Sequence, residues 1–264
     1  MQAIPSRRAL GGLGIRLLES GRGAWRGLRF AGDALVAALS PSTYTAAVRG
    51  AAARQLCVSA WQVLPGVVAF CALLGYVVIR IVSSTAHEYG LSAYAVDVFV
   101  RVLVLELIPL FVALFVALRS GAALGTEVAL MRVSRENPVR TGARALRAEL
   151  LPRGIGNAVA VLCLTAVGAV VALAVAYVGL YGFSPWGHDA YSRAIGQVFE
   201  PLLLAGFALK VSLFALAVGA IPVAAGLAAA RDWPGVPQAA PRGLVRLFVV
   251  LALVEAVSLA ARYV

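Results

Sequence analysis

The chain has 264 residues, 61% of them hydrophobic and 13% charged, at a mean hydropathy of +0.89. A soluble domain of that composition would have too little polar surface to cover its core, which excludes the soluble classes and indicates a polytopic membrane protein. Net charge is +11, with 22 arginines and a single lysine among the cations. The arginines fall in short stretches between apolar runs, where they set topology and meet anionic headgroups; no stripe suited to nucleic acid forms.

From Leu10 to Leu39 arginines alternate with apolar residues. Arg22, Arg26 and Arg29 recur at helical spacing beside Trp25, which predicts an amphipathic helix in the cytoplasmic interface. This basic start has no compact apolar core followed by a small-residue cleavage site, so no cleavable signal peptide is expected. Ser40 and Pro41 mark a break, and a second short helix is expected to lead to Arg54. Residues 1–55 are read as an N-terminal helical region and 56–264 as the transmembrane domain.

Five apolar segments follow, at about Trp61 to Val82, Val98 to Leu118, Ile155 to Tyr181, Pro201 to Ala225 and Leu244 to Ala261. At 1.5 Å per residue each spans roughly 30 Å of hydrocarbon. Eight arginines precede the first segment, seven lie from Arg119 to Arg153 and three from Arg231 to Arg246, whereas the loops at 83–97 and 183–200 share one. The positive-inside rule then puts the N-terminus in the cytoplasm and the C-terminus outside. The outer loops are short, and the second, with its Pro-Trp-Gly turn, Trp186 and Tyr191, suits an interfacial anchor. The fold class expected is all-α, with an N-terminal interfacial helix and five transmembrane helices.

Cys57, Cys71 and Cys163 share no metal-ligand spacing and read as small core residues. His87 and His188 fall in short polar loops, so no metal site and no nucleophile–base pair is expected. No internal repeat is visible.

Charges inside hydrocarbon need a partner or a wet cavity, because each costs about 2.5 to 3.5 kcal/mol on insertion scales. The candidates are Arg101 and Glu106 in the second segment, Lys210 in the fourth and Glu255 in the fifth. Lys210 is the chain's sole lysine and lies near mid-depth. A Glu106–Lys210 pairing, or a polar cavity shared by the two, accounts for both; snorkelling or a purely structural ion pair is the plainer alternative.

The stretch from Glu106 to Met131 organises the rest. An uncharged run from Pro109 to Leu118 ends in Arg119, a Gly-rich turn and a second carboxylate, Glu127. Gly121 and Gly125 form a GxxxG flanked by Ala117 and Ala129, a stripe that fits close helix packing either within the chain or across a homodimer. After Met131, Asn137 and Pro138 read as the cap and first residue of a short helix with Arg140, Arg144 and Arg147 on one face. That helix suits docking to a cytosolic partner or lying on the membrane surface.

The order E-L-x-P from Glu106, x-R-x-G-A-A around Arg119 and E-x-x-x-M-x-V from Glu127 resembles the signature of the MlaE/YrbE permeases, membrane subunits of MCE-type ABC lipid transporters. The resemblance runs from Arg54-Gln55-Leu56 through Glu136-Asn137, Leu151-Pro152-Arg153 and Leu209-Lys210 to the C-terminus. It implies a multi-pass protein of the bacterial inner membrane and a second permease copy, in a homodimer or related heterodimer. It also implies a cytoplasmic ABC ATPase dimer using ATP and Mg, a periplasmic MCE-domain protein and a phospholipid or similar cargo. No cofactor on this chain is implied. Glu106, Pro109, Lys210 and Arg101 would line the substrate pathway. Arg119, Gly121, Gly125, Glu127 and Met131 would form the cytoplasmic boundary. Coupling to the ATPase would fall to about residues 134–150, including Glu136, Asn137, Arg140 and Arg144. The family's arginine before the first Glu is replaced here by Leu105, so any pocket pairing made by that arginine is either missing or supplied by Arg101.

No GxxxxGK[ST] loop occurs, so in the transport reading another chain supplies the energy. An intramembrane lipid-modifying enzyme built on Glu106, Arg119, Glu127 or Lys210 lacks an adjacent nucleophile or ligand cluster. A membrane scaffold without a transport path is the third reading.

Overall fold

A computed structural model describes residues 46–134, 143–228 and 236–263. The described residues are helical apart from short connections, with α1 at Ala46–Glu88, α3 at Ala143–Tyr181, α4 at His188–Val198, α5 at Pro201–Ala228 and α6 at Val236–Tyr263. Between α1 and α3 runs α2, one uninterrupted helical path. It is α-helical at Ala95–Phe99, π-helical at Val100–Leu107, α-helical at Ile108–Val116, π-helical at Ala117–Gly121 and α-helical at Ala122–Ser134.

Five stretches are long and apolar enough to cross a membrane: Ala60–Glu88, Ala95–Leu130, Pro152–Tyr181, Pro201–Gly226 and Ala240–Ala261. The interfacial helix expected before Leu39 and the Ser40–Pro41 break lie outside the described residues. Instead of a separate short helix leading to Arg54, α1 runs unbroken from Ala46 into the first crossing. It also continues past Val82 to Glu88, because Gly90 (φ 70°) supplies the left-handed residue at which the chain leaves the helix, and Leu91 N–H donates to Ala86 O at 2.7 Å. Gly182 (φ 64°) ends α3 in the same way, with its N–H on Val178 O.

The second crossing is the centre of the bundle. Over its most apolar window 56% is buried inside the protein, against 11% for the last crossing. Phe99, Leu103, Ile108, Val112 and Val116 of α2 meet Leu164 of α3, Phe214 of α5 and Leu247 and Leu251 of α6 in one core. Lipid tails are as apolar as these side chains, so helices associate through close approach and not through hydrophobic expulsion. Glycine and alanine provide that approach. On α1 and α3, Cys71, Gly75 and Ile79 face Gly168, Ala172 and Gly179. A Cβ on Gly168 would lie 3.0 Å from Cys71 Sγ, and one on Gly75 3.4 Å from Ala172 Cα.

Between α3 and α5 the contact is glycine on glycine. A Cβ on Gly219 would sit 2.6 Å from Gly154 O, and one on Gly154 2.9 Å from Gly219 O. Gly226 meets Gly125 O in the same way at 2.6 Å, and a Cβ on Gly121 would be 3.3 Å from Pro222 Cγ. The Gly121–Gly125 stripe therefore packs within the chain, against α5. The Gly-rich turn expected after Arg119 is not a turn: its residues continue α2, because an interrupted backbone at this depth would leave peptide groups unpaired.

The outer segment at 183–200 is more than a loop with an aromatic anchor. Trp186 is 92% exposed, in keeping with an anchor, but α4 folds back on the bundle. Tyr191 is buried against Tyr177 and Tyr181, and its hydroxyl donates to Leu173 O at 2.7 Å. Burial, with Tyr181 beside it, pushes the Tyr191 phenol up to about 12, so it remains a donor at physiological pH. His87 and His188 also belong to helices, at the last turn of α1 and the start of α4. Of the cysteines only Cys71 is buried; Cys57 and Cys163 lie on exposed faces of their apolar helices, so the core reading fails for those two.

Gly219→Ala is expected to destabilise the purified protein by about 1–3 kcal/mol through overpacking. Gly206→Ala, with nothing within 4 Å of the added methyl, should leave thermal stability in detergent unchanged or slightly raised. Equal behaviour of the two variants would contradict the glycine-contact account. Tyr191→Phe removes one buried hydrogen bond and should lower stability by about 1 kcal/mol in the same assay.

Candidate functional site

Lys210 is 3% exposed and Glu106 6% exposed, which makes them the two buried charged residues among the described ones. The structure brings them into direct ion-pair contact, with Lys210 Nζ on Glu106 Oε2. A third member, Glu255 of α6, places its Oε2 2.7 Å from the same nitrogen, a close ion contact rather than an aligned hydrogen bond. The sequence marked Glu255 as an intramembrane charge but gave no means of assigning its partner, since 45 residues separate it from Lys210.

Three helices meet at this point for local reasons. Pro109 lacks an N–H and so cannot bond the carbonyl four residues back, Leu105 O. The backbone widens into the π-helical stretch Val100–Leu107 immediately before it. Short π segments inside α-helices often accompany functional sites. Lys210 Nζ also approaches Leu105 O at 3.5 Å, so three oxygens, on Glu106, Glu255 and Leu105, surround the ammonium. The Phe214 ring, one turn along α5, lies with its centroid 5.8 Å from Nζ and adds a cation–π contact.

The site sits deep in the bundle. Glu106 is 11 residues from Ala95, Lys210 nine from Pro201 and Glu255 six from Ala261, and these three span ends lie on one side of the bundle. At 1.5 Å per residue the charges lie roughly 9–17 Å below that side, within the middle of a 30 Å layer. Burying them costs several kcal/mol each, and mutual pairing offsets that cost.

The other expected site residues divide. Pro109 is buried beside the triad at the start of the α-helical stretch Ile108–Val116. Arg101 does not supply the pocket arginine: its Nε bonds Asp97 Oδ1 at 2.8 Å, one turn back on the same helix and half exposed. A partner four residues away is met without any tertiary placement, and Arg101 stays with it. Arg119 is exposed, whereas Gly121 and Gly125 are buried at the α5 contact. Glu127 forms an ion pair with Arg153 of α3, a partner that composition and spacing did not suggest. The side chain of Met131 lies outside the described residues, as do Glu136, Asn137 and Arg140; Arg144 falls in the first turns of α3, but its side chain is likewise outside them. Of the proposed coupling stretch 134–150, Ala143 onward is helical and continuous with the third crossing. Sequence reasoning missed Asn157 and Thr165, which are fully buried on α3; neither carries the charge that marks the other intramembrane candidates.

Five apolar crossings that enclose a buried charged cluster at mid-depth define a multi-pass membrane protein. Residues 52–261 match the family model described as Permease MlaE, and the chain belongs to that family. It is also 25% identical over 204 residues, covering 76% of this chain and 78% of the relative, to a probable ABC transporter permease protein of Rickettsia prowazekii (strain Madrid E). The protein is thus a permease of the ABC-transporter type, a transport subunit rather than an enzyme.

Lys210→Met would leave the buried Glu106 and the partly buried Glu255 without their cation and should cost about 3–5 kcal/mol or prevent folding. The triple variant Glu106→Gln, Lys210→Met, Glu255→Gln removes all three charges and should recover most of that loss. Thermal unfolding of the purified proteins checks both; a triple variant as unstable as the single one would show that charge pairing is not what the site contributes.

Proposed function

We propose that this chain is the permease subunit of an ATP-driven transporter that moves phospholipid, or a similar amphipath, between the bacterial inner membrane and a periplasmic MCE-domain protein. In this reading a cytoplasmic ABC ATPase dimer binds and hydrolyses ATP with Mg, and a second permease copy, identical or related, completes the membrane part. The single observation that carries the lipid reading is the Glu106–Lys210–Glu255 triad. It gives a dipolar headgroup a place to exchange ionic contacts at a depth where hydrocarbon offers none. Glu106, Lys210 and the adjacent Pro109 are the pathway residues of this proposal, and residues 134–150 provide the contact with the ATPase. The N-terminus then lies in the cytoplasm and the C-terminus faces the periplasm. The excess of arginine in the segments assigned to the cytoplasm supports that orientation.

The test is reconstitution of the complex in nanodiscs with a labelled phospholipid and an acceptor MCE protein. The wild type should transfer lipid in an ATP-dependent manner, and the neutral triple variant, folded and assembled, should lose at least about tenfold of that rate, equivalent to roughly 1.4 kcal/mol. A folded triple variant with the wild-type rate would remove the triad from the pathway. Chemical conversion of lipid by the isolated chain would instead favour the lipid-modifying alternative.

A further inference from the structure

The two feet of the 135–142 connection, the end of α2 and the start of the third crossing, are tied to each other and to one common helix. Arg153 Nη1 pairs with Glu127 Oε1 directly between them. On one side of α5, Gly226 lies against Gly125 O and Val128 of α2; about two turns away, Gly219 lies against Gly154 of α3, the residue next to Arg153. These glycine contacts bring the helices so close that a single added carbon would come within 3 Å of backbone. A half-exposed ion pair adds little to stability, so the placement of this one is more informative than its strength. It closes the third edge of a triangle whose other two edges are glycine crossings. The helix shared by both crossings, α5, also carries Lys210, nine residues before Gly219.

We propose that Glu127 and Arg153 are a positioning pair. They make the ends of α2 and α3 move as one body, so that displacement of the segment between them turns α5 and shifts Lys210 within its carboxylate pair. This inference rests on the reading of residues 134–150 as the ATPase contact. Rigid packing transmits displacement, and the ion pair decides whether both feet deliver it together or separately.

Lys210 is the only lysine side chain in this chain, so its exposure can be read by an amine-reactive reagent and peptide mass spectrometry on the intact complex. In the wild type, labelling should differ about fivefold or more between nucleotide-free and nucleotide-trapped states, the scale of ordinary site-to-site coupling. In Glu127→Arg and in Arg153→Glu the difference should fall below about twofold, and the reversed pair, carrying both changes, should restore it. Should a charge reversal prevent assembly, Glu127→Gln and Arg153→Gln remove the attraction without adding repulsion and carry the same expectation. The proposal is overturned if the wild type shows no nucleotide response, if the single variants keep it, or if the reversed pair, assembled, fails to regain it. Lipid transfer measured on the same samples separates the two ideas: a wild type that responds to nucleotide but moves no lipid rejects the cargo and leaves the positioning pair standing.

Discussion

An ammonium ion in hydrocarbon has no water to bind, so the protein itself must solvate Lys210. Much of the bundle follows from that requirement. Glu106 must come from α2 and Glu255 from α6, both at the depth of Lys210 on α5, which fixes the relative height of three helices that dispersion forces alone would leave free to slide. The hydrophobic effect cannot set register between surfaces that are equally apolar to lipid and to each other. Ionic contacts, which lose several kcal/mol when misplaced, can.

The irregularity of α2 serves the same end. A proline inside a membrane helix frees a carbonyl, and hydrocarbon will not satisfy it. Here the carbonyl preceding Pro109 by four residues lies 3.5 Å from Lys210 Nζ and joins the surroundings of the cation. The second π stretch, at Ala117–Gly121, lies next to the Pro222 contact; there Ser120 Oγ returns to Val116 O at 2.8 Å, a side-chain bond that commonly bends helices. Both departures from α geometry thus occur where α2 meets α5.

The crossings, their order and the importance of Lys210 were legible because hydropathy acts over 20 residues and a lone lysine in such a run needs a reason. The continuity of α2 through Ser120, Gly121 and Gly125 was not, because these residues punctuate chains in water, whereas in lipid the backbone must keep its own hydrogen bonds. The helix α4 escaped notice for a different reason: 11 residues of modest polarity behind a Pro-Trp-Gly turn look like a loop until Tyr191 finds Leu173. Partners distant in sequence were beyond reach. Glu255 and Arg153 each carry an obvious charge, but whether a charge meets lipid headgroups, a neighbour on its own helix or another crossing is decided by helix rotation, and periodicity leaves rotation open by a residue or more. Arg101 illustrates the same point, since Asp97 one turn away claims it.

The division between one lysine and 22 arginines has its own consequence. A guanidinium is a broad planar fork, weakly hydrated and suited to gripping phosphate oxygens two at a time; an ammonium is compact and nearly spherical. Among the described residues the first is used for every cation outside the buried centre and the second only there, between two carboxylates and against a backbone carbonyl. Lysine and arginine are therefore not exchangeable in this molecule. The position of Lys210 is specified by shape as much as by charge, and an arginine there would carry the right sign in a space built for a point.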